Sequence, residues 1–190
     1  TNSSLIGLGP VFAARLGFPV AQISLLMTGF LLGSLLLQLP IGRCSDRFDR
    51  RTVLIAVALL TAAACFSMSY GAESGFAGLL GLFALVGGLS ATVYPIAMTH
   101  ANDLARPEQT VSLHGSLLLA FAGGASCGPF VASLVMEGLG PTGLFTTAAA
   151  ANFILSAFVL YRMTQRAPVP EEQQQDFVAM PQTSLSTQAV

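Results

Sequence analysis

The stretch that decides the fold reads Gly42-Arg43-Cys44-Ser45-Asp46-Arg47-Phe48-Asp49-Arg50-Arg51. It holds four arginines and two aspartates, and the long runs on either side of it carry almost no charge. Such a cluster must lie in water, whereas the flanking runs are long and apolar enough to lie in lipid. The pattern predicts two membrane spans that are joined at a membrane surface.

The composition agrees with a membrane protein. Only 9% of the 190 residues are charged and 53% are apolar, whereas a typical soluble domain has roughly 25% charged residues. In lipid each span must satisfy its own backbone hydrogen bonds, so helices are expected, and the short alternating strands of a barrel are missing from the sequence. The predicted fold class is all-α, a polytopic membrane helix bundle in residues 1–163, with spans at about 20–41, 52–70, 76–99, 111–136 and 144–163.

The two ends of the chain differ from this pattern. The apolar segment 5–14 is too short to cross a bilayer, and the chain begins at Thr1 rather than Met. We therefore expect a fragment that starts inside a truncated helix. Residues 164–190 are rich in Pro, Gln, Ser and Thr, which predicts a disordered cytoplasmic tail.

The basic residues predict the orientation. There are no lysines, and seven of the eight arginines fall on the same side when the predicted spans are counted: Arg43, Arg47, Arg50, Arg51, Arg106, Arg162 and Arg166. The positive-inside rule assigns that side to the cytoplasm and leaves Arg15 alone outside. We expect a multi-pass protein of a bacterial cytoplasmic membrane, with residues 42–51 and the tail inside the cell.

Each residue type in the charged stretch has a physical interpretation. Gly42 would let the chain turn sharply as it leaves the membrane, and Asp46 can accept hydrogen bonds from helix N-termini or from arginine. Arg47, Arg50 and Arg51 can pair with acidic groups or with lipid phosphates. The alternative is that any cytoplasmic loop collects arginines, which would not explain the glycine or the embedded aspartates.

Small residues four apart predict close helix packing. The pairs are Gly29 and Gly33, Ala84 and Gly88, and Gly124 and Gly128; chance spacing among 19 glycines is the alternative. The three cysteines are scattered, with neither a Cys-x-x-Cys pair nor a neighbouring histidine pair, so we expect no metal site and no cofactor.

The charged stretch resembles the signature loop of the major facilitator superfamily, which reads Gly-x-x-x-Asp-Arg-x-x-Arg-Arg between two helices. Members of that family have twelve helices in two halves, and the loop follows helix two and again helix eight. This sequence departs from the family pattern at Asp49, where the family usually has glycine.

A second stretch is similar to the family's helix-five pattern, Gly-x-x-x-Gly-Pro-x-x-Gly-Gly. It runs from Gly124 through Gly128 and Pro129 to Ala132 and Ser133, which replace the last two glycines. Helix eleven is the repeat-related counterpart of helix five. The spacing of the two motifs fits the C-terminal half of such a carrier, from the end of helix seven to helix twelve.

The resemblance implies a secondary carrier that moves a small solute by alternating access. It also implies that Asp46 is a latch on the cytoplasmic side, with Arg47, Arg50 and Arg51 in its charge network. No carboxylate lies inside the predicted spans, so a proton-coupling group would lie elsewhere. Seven polar residues lie on spans that line the family's cavity, namely Thr28, Gln38, Thr92, Tyr94, His114, Ser116 and Ser126.

The expected partners are membrane lipid, a small-molecule solute and the other half of the carrier, which is either the N-terminal half of the same chain or a second copy. No nucleic acid is expected. The sequence shows no nucleophile–base pair and no phosphate-binding glycine loop, so we do not expect an enzyme. Two alternatives stay open, a half-size carrier that dimerises and a non-transporting membrane sensor or assembly protein.

Overall fold

The computed structural model describes residues 1–70, 75–103 and 110–165, and these residues form an all-helical bundle. Five of its helices are long and apolar enough to cross a membrane, and the first is shorter. The helices are α1 (Asn2–Arg15), α2 (Val20–Arg47), α3 (Arg50–Tyr70), α4 (Gly75–Asp103), α5 (Thr110–Leu139) and α6 (Gly143–Gln165).

The helices continue beyond the predicted spans. Helix α2 ends at Arg47 and α4 at Asp103, whereas the apolar runs end at residues 41 and 99. Hydropathy marks where lipid stops, but the backbone hydrogen bonds of a helix can continue into water. Of the predicted disordered tail 164–190, residues 164 and 165 belong to α6 and the rest lies outside the described residues, as do residues 71–74 and 104–109.

Three of the helix contacts follow the pattern of an internal repeat, beside further contacts of α3 with α4 and of α5 with α6. Helix α2 packs along α4, α1 along α5, and α3 along α6. In this repeat α1 corresponds to α4, α2 to α5 and α3 to α6. The contact of α2 with α4 then corresponds to the contact of α5 with α1, and the contact of α3 with α6 corresponds to itself. Because the two units are three helices apart, they cross the membrane in opposite directions, as in the inverted repeats of transporters.

Glycines bring α2 and α4 into backbone contact. A Cβ added at Gly33 would clash with the backbone of Ala84, and one added at Gly87 would clash with the backbone of Phe30. The Ser34 hydroxyl donates across the interface to the Gly87 carbonyl at 3.1 Å. The prediction of close packing from the small-residue spacing is therefore confirmed for this helix pair.

Aromatic rings tie α1 to the middle of the bundle. The buried ring of Phe12 meets that of Phe145 edge-on, with centroids 4.7 Å apart, and Phe83 completes the cluster from α4. At the end of α1, the Arg15 guanidinium donates to the Met136 carbonyl of α5 at 3.4 Å. These contacts hold α1 against α4, α5 and α6.

Candidate functional site

The charged stretch is mostly helical. Residues 42–47 form the last turns of α2, only Phe48 and Asp49 lie between α2 and α3, and Phe48 is extended (φ −122°, ψ 163°). The interpretation of Gly42 as a sharp turn is wrong, because this residue is buried inside α2 and does not have positive φ. The turn occurs six residues later, where the extended Phe48 ends the helix.

Asp49 caps the start of α3. Its Oδ1 accepts a hydrogen bond from the backbone N–H of Arg51 at 2.9 Å, which satisfies one of the free donors at the helix N-terminus. The same oxygen lies 3.7 Å from Nε of Arg51, whose side chain is buried. The departure from the family's glycine thus supplies a helix cap and a partner for one arginine.

Arg50 joins the ends of three helices. Its side chain is only 2% exposed. Nη2 lies 3.6 Å from Oδ1 of Asp46 at the end of α2, and Nε lies 3.3 Å from Oδ2 of Asp103 at the end of α4. A buried guanidinium needs such acidic partners, because removing the charge from water is expensive.

Asp103 is a site residue that the sequence analysis did not assign. It is the last residue of α4 and its side chain is 1% exposed. One signal in the sequence could have suggested it: an acidic residue follows an apolar span on the side of the membrane where the arginines lie. The partner arginine itself follows from the fold, because residues 50 and 103 are far apart in the sequence.

Some residues of the charged stretch are buried and others are exposed. Arg50 and Arg51 are buried, whereas Arg47 is exposed and the Asp46 side chain is 32% exposed. One carboxylate is therefore oriented by a buried arginine and still open on another side. This geometry lets Asp46 accept hydrogen bonds from a second helix end without losing Arg50.

The Gly/Pro motif of α5 is used in part within this chain. A Cβ added at Gly128 would lie 2.8 Å from Oγ of Ser4, so this glycine lets α1 approach α5. A Cβ at Gly124 would meet nothing within 4 Å. Pro129 follows inside the helix, where it removes a backbone donor.

Three of the predicted cavity residues, Thr28, Ser116 and Ser126, are exposed on α2 and α5. The hydroxyl of Thr28 donates to the Ser24 carbonyl at 2.8 Å, and that of Ser116 to the Ser112 carbonyl at 2.9 Å. Such bonds to the preceding turn satisfy a hydroxyl in an apolar medium. A role for these residues in solute binding stays a prediction.

Gln38 and Thr92 are buried between helices. The Thr92 hydroxyl donates to the Leu89 carbonyl at 2.8 Å and its side chain is fully buried. Burial favours a packing role for Thr92, since no surface of this side chain is open to a solute within the described bundle.

The last two predicted residues, Tyr94 and His114, are half-buried on α4 and α5. The Tyr94 ring packs against Phe121 with centroids 4.9 Å apart. One turn away on α4, the Ser90 hydroxyl donates to Oδ1 of Asn2 on α1 at 3.3 Å. The sequence pattern alone does not single out Asn2, Ser90 or Phe121, because only the packing of α1, α4 and α5 brings them together.

The packed helices, their inverted repeat and the charged cluster at one end define a polytopic membrane protein of the kind built from transporter repeats. The chain belongs to the major facilitator superfamily, whose sequence model matches residues 1–188.

Relatives in two organisms are similar to this chain. The uncharacterized MFS-type transporter YcaD of Escherichia coli strain UMN026 is 31% identical over 170 residues, which cover 88% of this chain and 42% of that protein. YcaD of Shigella flexneri is 30% identical over the same shares. This chain therefore spans less than half the length of the curated relatives it matches. No solved structure gives a significant match.

Proposed function

We propose that this chain is the C-terminal half of a secondary carrier that moves a small solute across the cytoplasmic membrane by alternating access. Membership of the family supports membrane transport. The signature motif at residues 42–51 is followed, three spans later, by the Gly/Pro motif of α5, a spacing that the second half shares with the first. The other half would come from the same chain or from a second copy, and lipid would surround both.

The observation that carries the proposal is the bridge made by Arg50 between Asp46 and Asp103. It ties the cytoplasmic ends of α2, α3 and α4 into one unit while leaving Asp46 open on one side. When the cytoplasmic side closes, Asp46 would meet a helix N-terminus of the other half, where a carboxylate is stabilised by the helix dipole. Opening breaks that contact and leaves the bridge intact, so the half moves as one body.

The first testable prediction is that Asp46→Asn impairs transport without unfolding the protein. The substitution keeps the shape of the side chain and removes the charge that meets the helix end, so we expect transport to fall about tenfold, as loss of a charge-assisted contact of about 1.4 kcal/mol would give. The solute is not specified, so the measurement is untargeted metabolite profiling of a deletion strain that carries each variant.

Asp49→Asn is the matched control, because it removes a neighbouring negative charge and keeps a good helix cap. We expect the Asp49→Asn strain to show the wild-type metabolite profile and the Asp46→Asn strain to resemble the deletion. An Asp46→Asn profile that matches wild type at equal protein level in the membrane would refute the latch. A deletion strain that shows no altered solute would favour the sensor or assembly protein instead.

The mass of the native protein tests the assignment to one half. The 170 matched residues are 42% of YcaD, which is therefore about 400 residues long. A native chain of about that length supports a carrier with both halves in one polypeptide. A native chain of 190 residues would instead support the half-size carrier that acts as a homodimer.

A further inference from the structure

Polar and aromatic side chains from three helices meet near the middle of the membrane. Ser90 and Tyr94 lie about 20 Å and 14 Å along α4 from its cytoplasmic end, at 1.5 Å per residue. Phe121 lies about 16 Å from the start of α5. The hydrocarbon core is about 30 Å thick, so the hydrogen bond of Ser90 with Asn2 and the ring pair of Tyr94 and Phe121 lie near its centre.

Phe121 is the exposed member of this group, and it lies on a face of α5 that also packs against the bundle. Phe121 lies on the same stripe of α5 as Gly128 and Ala132, which pack against the rest of the bundle. At helical spacing of seven and eleven residues, the three positions share one face. Ala132 is fully buried, yet Phe121 is 41% exposed. Within the described part of this chain, the Phe121 ring therefore packs against Tyr94 and is otherwise partly exposed.

The chemistry around this surface is uncharged. The carboxylates and the arginine of α1, α4 and α5 lie at helix ends, namely Arg15, Asp103 and Glu137, and the histidines His100 and His114 lie about one turn from an end of α4 and of α5. A charged solute in a low-dielectric site needs a compensating charge, because the uncompensated burial of an ion is strongly unfavourable. Aromatic rings, a hydroxyl and an amide instead suit a neutral solute that has a ring to stack and a group to hydrogen-bond.

We propose that Asn2, Ser90, Tyr94 and Phe121 form a binding surface for an uncharged aromatic solute that carries a hydroxyl or similar hydrogen-bonding group. The inference rests on the proposed transport function and adds the chemical class of the solute. Tyr94 and Phe121 contact its ring, and Asn2, which the buried Ser90 positions through its hydrogen bond, contacts its polar group. Cationic and anionic solutes are disfavoured by this half of the site.

Three probes with one ring system test the charge preference. They are tryptophol, which is neutral, indole-3-acetate, which is anionic, and tryptamine, which is cationic at neutral pH. Binding to the full-length carrier in lipid nanodiscs is followed by saturation-transfer difference NMR, with empty nanodiscs as background. We expect tryptophol to bind at least tenfold more tightly than either charged probe. Equal or tighter binding of a charged probe, or no binding of tryptophol, would overturn the inference.

Substitutions test the assigned residues. Phe121→Leu and Tyr94→Leu should each weaken tryptophol binding threefold to tenfold, because each removes an aromatic contact with the ring. Phe130→Leu is the control, because Phe130 is 67% exposed on the same helix and points away from α4. If Phe130→Leu weakens binding as much as Phe121→Leu, the site is not the one proposed.

Ser90→Ala separates the polar contact from stacking. It should weaken tryptophol binding and leave 3-methylindole, which has the ring but no hydroxyl, unchanged. An equal loss for both probes would contradict the role of Ser90. The Asp46→Asn experiment does not involve this surface. If the three probes do not bind in the expected order, the proposed solute class is wrong, and the proposed transport function is unaffected.

Discussion

Asp49 shows how one side chain can replace the freedom of glycine at a helix start. At an N-cap, glycine is tolerated because it adopts the required backbone, whereas aspartate is favoured because it accepts a hydrogen bond from the first turn. Here Oδ1 of Asp49 binds the Arg51 backbone N–H at 2.9 Å. The junction therefore keeps its turn without the family's glycine.

The second prediction follows from this cap. Through the cap, Asp49→Ala should lower stability by about 1 kcal/mol and Asp49→Gly by only a few tenths, and both variants lose the same ion-pair partner of Arg51. For a protein of this size, 1 kcal/mol corresponds to about 3 °C in the apparent Tm. Thermal unfolding of the purified variants measures both, and an alanine variant that melts with or above the glycine variant would disprove the capping role.

The ion pair of Asp103 with Arg50 should contribute more to the free energy of unfolding than the Asp49 cap does, because both of its side chains are buried, at 1% and 2% exposure. The third prediction is that Asp103→Asn destabilises the protein by about 3 kcal/mol, since it leaves Arg50 with the more distant and more exposed Asp46. The double variant Asp103→Asn with Arg50→Gln should recover part of this loss. If the single variant melts like wild type, the pair contributes nothing to folding.

At the scale of helices, α2 and α4 approach each other closely because the glycines at their contact have no side chains. The fourth prediction compares two glycines of α4: Gly87→Ala should destabilise the protein by about 1–3 kcal/mol, because its methyl group would overlap the Phe30 backbone. Gly81→Ala should be neutral or stabilising, because nothing lies within 4 Å of the added Cβ. Apparent melting temperatures decide, and equal effects at both positions would refute the close contact.

The sequence predicted this helix pair better than it predicted the helix ends. The spacing of small residues identifies the helix face that packs closely against another helix, because residues on one face recur with the period of the helix. By contrast, the polar residues 42–47 continue α2, although the hydropathy pattern ends at Ile41. Hydropathy reports the solvent around a helix and says little about its backbone, so the position of the turn was missed.

At the scale of the whole molecule, the repeat explains which site residues could be predicted. The motif residues are neighbours in sequence, and their composition alone marks them. The partners that complete each cluster are distant in sequence: Asp103 meets Arg50, and Asn2 meets Ser90. Those contacts exist because the second repeat unit packs against the first, and a single sequence does not specify that packing.

The orientation of the bundle is the fifth prediction. Seven of the eight arginines are assigned to the cytoplasmic side, including the four that surround Cys44. Cys44 is exposed, so a membrane-impermeant maleimide should label it in inverted membrane vesicles and not in right-side-out vesicles. The labelled site is identified by peptide mass in a Cys127→Ser variant, which removes the other exposed cysteine of this chain.

Gly138→Cys provides the opposite control. Gly138 is exposed at the far end of α5, where nothing lies within 4 Å of an added Cβ, so a cysteine there should be labelled only in right-side-out vesicles. Three candidate spans separate residues 44 and 138, so the two residues should lie on opposite sides of the membrane. Labelling of both from one side would overturn the span count, and exchange of the two patterns would invert the topology. If the topology were inverted, Asp46, Arg50 and Asp103 would lie on the outer side of the carrier and would close that side. The ion pairs of Arg50 would be the same on either side of the membrane.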